Sequence, residues 1–485
     1  MSEKSTVLRN SSALAAVSLF SKILGYARDA VFAWLFGAGK ATDAYYAALR
    51  LITFFRKTAA ESNINPALSP ALHENSGRIR EVSAELASAA SLSGLTLSAA
   101  VFIFSTPIIK LFAFGFDRHT VELASRLLSV MSLQIFFISL TSLWQGILNH
   151  TGSFAKPALI QTIFSVSVIS AAIIAGGKDP QKSCFWAAAA GTASGIFQVG
   201  LFSLALYRRG LGPSFRFPSR KCFKLLSSAF FSLIPSNYDY FFITVNLAFA
   251  AFFPQGTLTV FYNAARLAQF PLSLASSPAA AAAAGEIARN HAQGNLNSIK
   301  ENFINAVSIA LFWTIPSALG LWTMAMPLSS FLFERGAYSS LAAASTAEAI
   351  RLFSLSLPFY AVNKILISFF YSIKREKLAL KFFFTSLGLL VILSPLFPGG
   401  HRASLLAALA VSSSGALWGL LKIKKEFDFN FNKLVSFTLK AAAAGAIACL
   451  LSAAAFSAGI NLPFSLLIAV SLYLFAAKIM RIELK

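Results

Sequence analysis

The sequence predicts an all-α polytopic membrane protein, and three observations carry this prediction. Of its 485 residues, 56% are hydrophobic and only 12% are charged, whereas about 25% of residues are charged in a soluble globular protein. The mean hydropathy is +0.67, and apolar stretches recur at the length of about 20 residues that a membrane-spanning helix needs. The remaining charge is strongly positive, with 41 Lys and Arg against 19 Asp and Glu. This composition excludes a water-soluble enzyme, a disordered chain and a disulfide scaffold.

Apolar windows along the chain predict about 14 transmembrane helices. Their centres lie near residues 20, 52, 97, 138, 166, 196, 240, 270, 313, 358, 387, 412, 446 and 470. The first apolar stretch is interrupted by charged residues and continues past any plausible cleavage point. We therefore interpret it as a retained first helix and not as a signal peptide.

The loops between these spans alternate in charge, with about three times as many Lys and Arg on one side as on the other. The positive-inside rule then predicts that both termini are cytoplasmic. A long basic loop, residues 207–224, follows the sixth span. It divides the chain into a six-helix lobe (1–210), a second six-helix lobe (211–430) and a C-terminal helix pair (431–485). Transporters built from parallel repeats have this organisation, with substrate bound between the two halves.

Several charged residues lie within the predicted spans, where each costs about 2.5–3.5 kcal/mol on insertion scales. The candidate site residues of the first two spans are Lys22, Arg28 and Arg56, with the acids Asp29, Asp43 and Glu61. The eighth span adds Asn263, Arg266 and Gln269, whose three-residue spacing predicts a common helix face. Cations in a membrane interior are tolerated in a wet cavity that an anion visits, and the planar guanidinium suits phosphate. The alternative is an internal salt-bridge network that holds helices together, and the spacing alone does not decide between the two.

The sequence contains no pattern that indicates catalysis. Its His and Cys residues have neither metal-binding spacing nor the spacing of a nucleophile motif, and there is no phosphate-binding P-loop. We therefore expect a protein that transports rather than an enzyme, with no cofactor and no metal site. The positive charge is explained by membrane topology and requires no nucleic acid.

Three segments of the N-terminal region resemble the opening of the MurJ (MviN) family of lipid II flippases, in the MOP exporter superfamily. They are residues 20–30 (FSKILGYARDA), 36–45 (FGAGKATDAY) and 56–61 (RKTAAE). Shorter matches follow in family order at 146–149, 157–158, 262–271 (YNAARLAQFP), 332–336 and 370–372. Beyond about residue 380 only the pattern of spans agrees with the family.

The resemblance implies a MOP or MATE-like fold of two six-helix lobes with two further helices that form a groove for the lipid tail. It implies translocation of undecaprenyl-pyrophosphate-linked peptidoglycan precursor, lipid II, from the inner to the outer leaflet of the bacterial cytoplasmic membrane by alternating access. Carried over by motif, the cations Lys22, Arg28, Arg56 and Arg266 would hold the pyrophosphate. Coupling to membrane potential or a monovalent cation, a monomeric state, and contacts with membrane lipids and with the cell-wall synthesis and division machinery are further expectations.

The chain departs from the family pattern at several positions within these motifs. Lys22 replaces a usual arginine, so the charge is kept but the planar fork is lost. Ala265 and Gln269 stand where the family often has acids, which predicts a more positive cavity.

Two other functions stay open at this point, namely another MOP-type exporter of a polysaccharide lipid or a drug, and a non-transporting membrane scaffold of the cell-wall machinery. The sequence places no sodium site; Asp239, in the seventh span, is a lone candidate for a ligand, and a packing or cavity polar role is the favoured alternative.

Overall fold

The computed structural model describes residues 3–57, 79–219 and 237–480, apart from positions 152, 154, 213, 215 and 398. The described chain divides into two compact units. The first unit comprises Met1–Ile234 with Gly336–Tyr338, and the second comprises Pro235–Arg335 with Ser339–Lys485. The boundaries at residues 210 and 430 that are expected from the sequence for the two lobes are not tested by this division and stay predictions.

The first unit consists of α-helices joined by short turns. In chain order they are α1 (Glu3–Phe36), α2 (Lys40–Phe55), α3 (Ile79–Ile103), α4 (Ser105–Phe112), α5 (Arg118–His150), α6 (Ala155–Ala175) and α7 (Pro180–Tyr207). Helix α5 is the centre of the unit because it packs against α2, α3 and α7. In the most apolar stretch of α5, 67% of the residues are buried inside the protein, compared with 28% in the corresponding stretch of α6.

The second unit is helical in the same way. Its helices are α8 (Tyr238–Ala250), α9 (Thr257–Pro271), α10 (Ser277–Ala292), α11 (Leu296–Thr323), α12 (Ala325–Phe333), α13 (Ser340–Ser372), α14 (Glu376–Leu393), α15 (Ala403–Phe427), α16 (Asn432–Ser457) and α17 (Leu462–Ile479). A π-helical segment, Leu272–Ser276, joins α9 to α10 without a break. Helix α13 is the centre of this unit and packs against α9, α10, α11, α12 and α15.

The order and lengths of the helices repeat between the two units. In each unit a long helix is separated by a single residue from a short one, and a helix of 33 residues follows. These successive helices are α3, α4 and α5 in the first unit and α11, α12 and α13 in the second. Corresponding helices are offset by roughly 220 residues, as in transporters with parallel repeats. The repeat is thus visible in helix lengths although the sequence shows no clear internal identity.

All fourteen span centres expected from hydropathy lie inside helices. In the described part of the chain, nine helices are long and apolar enough to cross a membrane. Helix α9 has 15 residues, fewer than the about 20 that span a bilayer, but it continues through the π-helical segment into α10. The all-α membrane fold is confirmed, and the number fourteen stays a prediction.

The outer surface of the helices is apolar, as a lipid-facing surface must be. Leu111 is 82% exposed, Ile174 85% and Leu450 65%. Large apolar side chains exposed to this extent would be unfavourable in water but match the hydrocarbon of a bilayer. The interior instead contains small residues, and Ala44, Ala47 and others lie fully buried, which lets membrane helices approach closely.

The last two helices extend the second unit beyond its repeat. Helix α16 packs along α11 and α17 packs along α16. The hydroxyl of Tyr473 on α17 donates a hydrogen bond of 2.6 Å to the carbonyl oxygen of Phe312 on α11. Because Tyr473 is buried, this bond satisfies its hydroxyl and fixes the position of α17 against the unit.

Candidate functional site

The turn between α1 and α2 fixes where the first charged residues lie. Gly37 adopts φ +65°, and a Cβ there would approach the carbonyl oxygen of Ala337 to 2.3 Å, so this position requires glycine. Helix α2 then starts with a local cap, in which the N–H of Gly39 donates to the hydroxyl of Thr42 at 2.9 Å. The turn is short and tightly packed, which holds the acidic and basic residues of α1 and α2 within one compact unit.

Arg28 and Asp29 of α1 form a buried ion pair. The Nε and Nη2 atoms of Arg28 both donate to Oδ1 of Asp29, at 2.9 Å and 2.7 Å. Arg28 is 6% exposed and Asp29 1%. The guanidinium also lies 5.5 Å from the ring centroid of Phe164 on α6, within cation–π range. The pair therefore neutralises two charges locally and places a planar, multi-donor cation in the interior of the first unit.

Helix α2 carries two further buried charges, Asp43 and Arg50, each 4% exposed. Seven residues are two helical turns, so Asp43 and Arg50 lie on the same face of α2. The sequence marks Arg50 as a charge within a span but gives it no role in the candidate site. The structure adds it to Arg28, Asp29 and Asp43 as a further buried ionic side chain in this unit, and the seven-residue spacing from Asp43 is the signal that could have found it.

The remaining site residues expected in the first unit differ in burial. Lys22 on α1 and Arg56, which directly follows α2, are both partly buried. Glu61 lies outside the described residues. Of the expected set in this unit, Arg28 and Asp29 are therefore in direct contact with each other, while Lys22 lies on α1, Asp43 on α2 and Arg56 directly after α2.

The three polar residues expected to share a face of α9 differ in exposure in the second unit. Asn263 is fully buried at 0%, whereas Arg266 and Gln269 are partly exposed. A three-residue step falls short of a full turn by about 60°, so the positions drift around the helix from the core towards its edge. Directly after Gln269 the chain passes Pro271 and enters the π-helical segment, a local irregularity that is frequent at functional sites.

A second ionic contact, which the sequence does not pair, lies in the second unit. Nζ of Lys364 on α13 lies 3.4 Å from Oδ1 of Asp239 on α8 and donates a 2.9 Å hydrogen bond to the hydroxyl of Ser277 on α10. On the same helix as Lys364, Asn363 donates to the hydroxyl of Tyr238 at 3.2 Å and to the carbonyl oxygen of Ser412 at 2.9 Å. Asp239 is thus the partner of a lysine and not a lone acid.

One cavity of about 530 Å³ involves none of the expected site residues. It lies where α13, α14 and α15 end or begin, and it is lined by Lys374, Arg375, Glu376, Lys377, Leu378, Lys422 and Glu426. Within the described ranges, no group of three or more His, Cys, Asp or Glu side chains is placed to hold a metal ion. The chemistry that the described interior offers is therefore that of ion pairs and hydrogen-bond donors.

Comparison with known proteins identifies the family. The family profile of the lipid II flippase MurJ matches residues 32–475. The chain is 28% identical over 470 residues to a probable lipid II flippase MurJ of Bdellovibrio bacteriovorus, covering 92% of this chain and 87% of that protein. It is 26% identical over 482 residues to a probable lipid II flippase MurJ of Thermotoga maritima, covering 96% and 95%.

Solved structures agree with the fold. A lipid II flippase MurJ in an inward closed conformation superposes with a TM-score of 0.78 at 23% identity, covering 96% of this chain and 98% of that one. An inward-facing multidrug resistance MATE transporter of the MOP superfamily gives a TM-score of 0.67 at 17% identity, covering 85% and 98%. At these identities the likeness concerns the fold alone. Because the family profile extends over most of the sequence, the chain belongs to the lipid II flippase MurJ family.

Proposed function

We propose that this chain carries lipid II from the inner to the outer leaflet of the bacterial cytoplasmic membrane by alternating access, and that its interior cations bind the pyrophosphate of the lipid. The observation that carries the proposal is the retention of ionic side chains inside an otherwise apolar protein. Arg28 and Arg50 are 6% and 4% exposed on α1 and α2, and a buried cation in a membrane protein is costly and by default indicates a functional site. Family membership supplies the substrate class, because lipid II carries a pyrophosphate between its sugar and its lipid tail.

Arginine fits the proposed role better than lysine does. Its guanidinium has five N–H donors in a planar fork, which can hold one carboxylate and still face a phosphate oxygen. In Arg28, two of the donor groups are directed at Asp29. Arg266 is partly exposed on α9 and would be a second contact. Lys22 and Arg56 would complete the set, with Asp29 and Asp43 balancing the charge when no substrate is bound.

The proposal is tested by neutralising Arg266 in a cell whose own lipid II flippase is depleted. We expect Arg266→Gln to lower the lipid II exposed on the outer leaflet by about tenfold or more, because a charge-assisted contact to phosphate contributes about 1.5–3 kcal/mol. Arg351→Gln is the matched control, since Arg351 is an exposed cation on α13. Membrane abundance of both variants is measured by immunoblot. Equal lipid II exposure in the two variants would remove Arg266 from the site.

Nine candidate spans in the described residues and the family together make the chain a multi-pass protein of the bacterial inner membrane. We propose that both termini are cytoplasmic, which is supported by the threefold or so excess of Lys and Arg in alternate loops. The C-terminal pair α16 and α17 would accommodate the lipid tail. Fusion of a periplasm-dependent phosphatase to residue 485 is expected to give an inactive reporter, and an active one would reverse the orientation.

A further inference from the structure

The ion pair between Asp239 and Lys364 joins three helices of the second unit. Their side chains are 12% and 18% exposed, so the pair lies largely inside the protein. The Nζ–Oδ1 distance of 3.4 Å is longer than the best charge-assisted hydrogen bonds. The attraction is therefore mainly Coulombic, and the 2.9 Å hydrogen bond to Ser277 fixes the direction of the ammonium group. The residues come from α8, α10 and α13, which meet at this point.

The pair is also connected to the helix that carries Arg266. Ser277, which accepts the hydrogen bond from Lys364, is the first residue of α10 and directly follows the π-helical segment. That segment continues α9, on which Arg266 lies. Single π-helical turns inside α-helices are frequent at functional sites. The junction at Lys364 is thus joined to Arg266 by one continuous helical backbone.

The residues around Asp239 do not suit a bound monovalent metal ion. A buried carboxylate in a transporter interior ordinarily requires a cation, supplied either by an ion or by a neighbouring side chain. Here the ammonium of Lys364 lies within 3.4 Å of the carboxylate. A sodium or potassium ion beside the same carboxylate would be repelled by that ammonium group, and repulsion at such distances is strong in a low dielectric.

We propose that Lys364 is the resident cation of this junction, taking the place that a monovalent metal ion would occupy beside Asp239, and that lipid II flipping by this chain needs neither sodium nor potassium at this point. Lys364 is then a positioning residue, which keeps α8, α10 and α13 together and orients the helix of Arg266. This inference deepens the proposed function and rests on it.

The test measures lipid II flipping by the full-length protein in liposomes containing sodium, potassium or choline as the only monovalent cation. We expect wild-type rates to agree within about twofold across the three salts, because the ammonium group is always present. A wild-type rate that rises about tenfold in sodium over choline would overturn the inference. Failure to flip in every salt would instead contradict the proposed function, so the two failures are distinguishable.

Two variants test whether the charge of Lys364 is responsible. Lys364→Met leaves the carboxylate of Asp239 without this ammonium, so we expect flipping to fall about tenfold in choline and to recover in part when sodium is added. The double variant Asp239→Asn with Lys364→Met removes both charges and is expected to flip at a rate independent of salt. Partial recovery by sodium is the readout that loss of packing alone would not produce.

Lys440→Met is the matched control, because Lys440 is an exposed lysine on the membrane helix α16. It removes the same charge and is expected to keep wild-type rates in all three salts. Wild-type flipping by Lys364→Met in choline would contradict the role of Lys364. If that variant fails to give a monodisperse protein, the salt series of the wild type and of the double variant still decides the question.

Discussion

Replacement of Arg28 distinguishes the two interpretations of the buried charges, an anion site and an internal salt-bridge network. Arg28→Ala removes both hydrogen bonds to Asp29, at 2.9 Å and 2.7 Å, and deprives a carboxylate that is 1% exposed of this partner. A charge-assisted hydrogen bond contributes about 1.5–3 kcal/mol to stability. The sum for two such bonds is similar to the loss of about 3–5 kcal/mol that follows when one partner of a buried ion pair is removed. We therefore expect Arg28→Ala to lower the free energy of unfolding by about 3–5 kcal/mol.

Two further variants separate stability from substrate binding. Arg28→Lys keeps the charge but lacks the planar fork, so we expect a loss of about 1–2 kcal/mol. Arg28→Met combined with Asp29→Asn removes both charges, and neutral replacement of a complete buried pair is often without cost. We expect the double variant to unfold within about 1 kcal/mol of the wild type.

The assay combines unfolding of the purified protein in detergent with flipping of lipid II in liposomes. If the pair contributes to stability alone, the stable double variant flips at the wild-type rate. If Arg28 also contacts phosphate, the double variant is stable but flips about tenfold slower or worse, which corresponds to at least one lost charge-assisted contact. A double variant that is stable and fully active would refute the assignment of Arg28 to the substrate site.

Two other predictions concern the stability of the first unit and are checked by thermal unfolding. A Cβ on Gly195 of α7 would lie 2.4 Å from the ring of Phe137, so Gly195→Ala should lower the free energy of unfolding by about 1–3 kcal/mol through overpacking. The control is Gly200→Ala on the same helix, where the added Cβ meets open space and stability should be unchanged or rise by about 0.5–1 kcal/mol. Equal effects of the two substitutions would contradict this packing. The pKa of Asp117 is lowered, first by the hydrogen bond that it accepts from Thr120 and then by a nearby lysine. Its contribution to stability is therefore present above the unfolded pKa of about 3.9 and is lost as pH falls through the lower folded pKa. Asp117→Asn should therefore lower the free energy of unfolding by under about 1 kcal/mol at pH 7, because the carboxylate is half exposed. At strongly acid pH the variant and the wild type should be equally stable. A larger loss of stability in acid than at pH 7 would contradict this direction of the pKa shift.

Much of the fold could be predicted from the sequence because membrane helices are encoded locally. Each span is a continuous apolar stretch, and the bilayer requires its backbone to be hydrogen-bonded within the helix. The expected centres accordingly lie in helices throughout the described chain. The π-helical segment between α9 and α10 was not predicted. It directly follows Pro271, and irregularities of this kind depend on proline and on packing rather than on mean hydropathy.

For the candidate site, the sequence indicates which helices carry charged residues, and the role of these residues stays a prediction. The motifs around Arg28 and Arg266 assign these cations to the first and eighth spans, and the structure has them on α1 and α9; the family match at residues 32–475 includes Arg266. Arg50 was not assigned a role, although it is as buried as Asp43. Hydropathy detects that a charge lies in a span but not which way its side chain faces, because facing depends on the helices packed around it.

The amino-acid sequence by itself determined that this protein is helical, crosses a membrane and carries cations where lipid would exclude them. Only the tertiary structure decided which charges meet. Lys364 lies 125 residues from Asp239 and 87 from Ser277 along the chain, yet the three side chains form one junction. Sequence periodicity assigns a residue to a helix face over a few turns, whereas the choice of ionic partner is made by the packing of helices that are distant in sequence. The cost of an uncompensated charge in a low dielectric makes that choice important for stability.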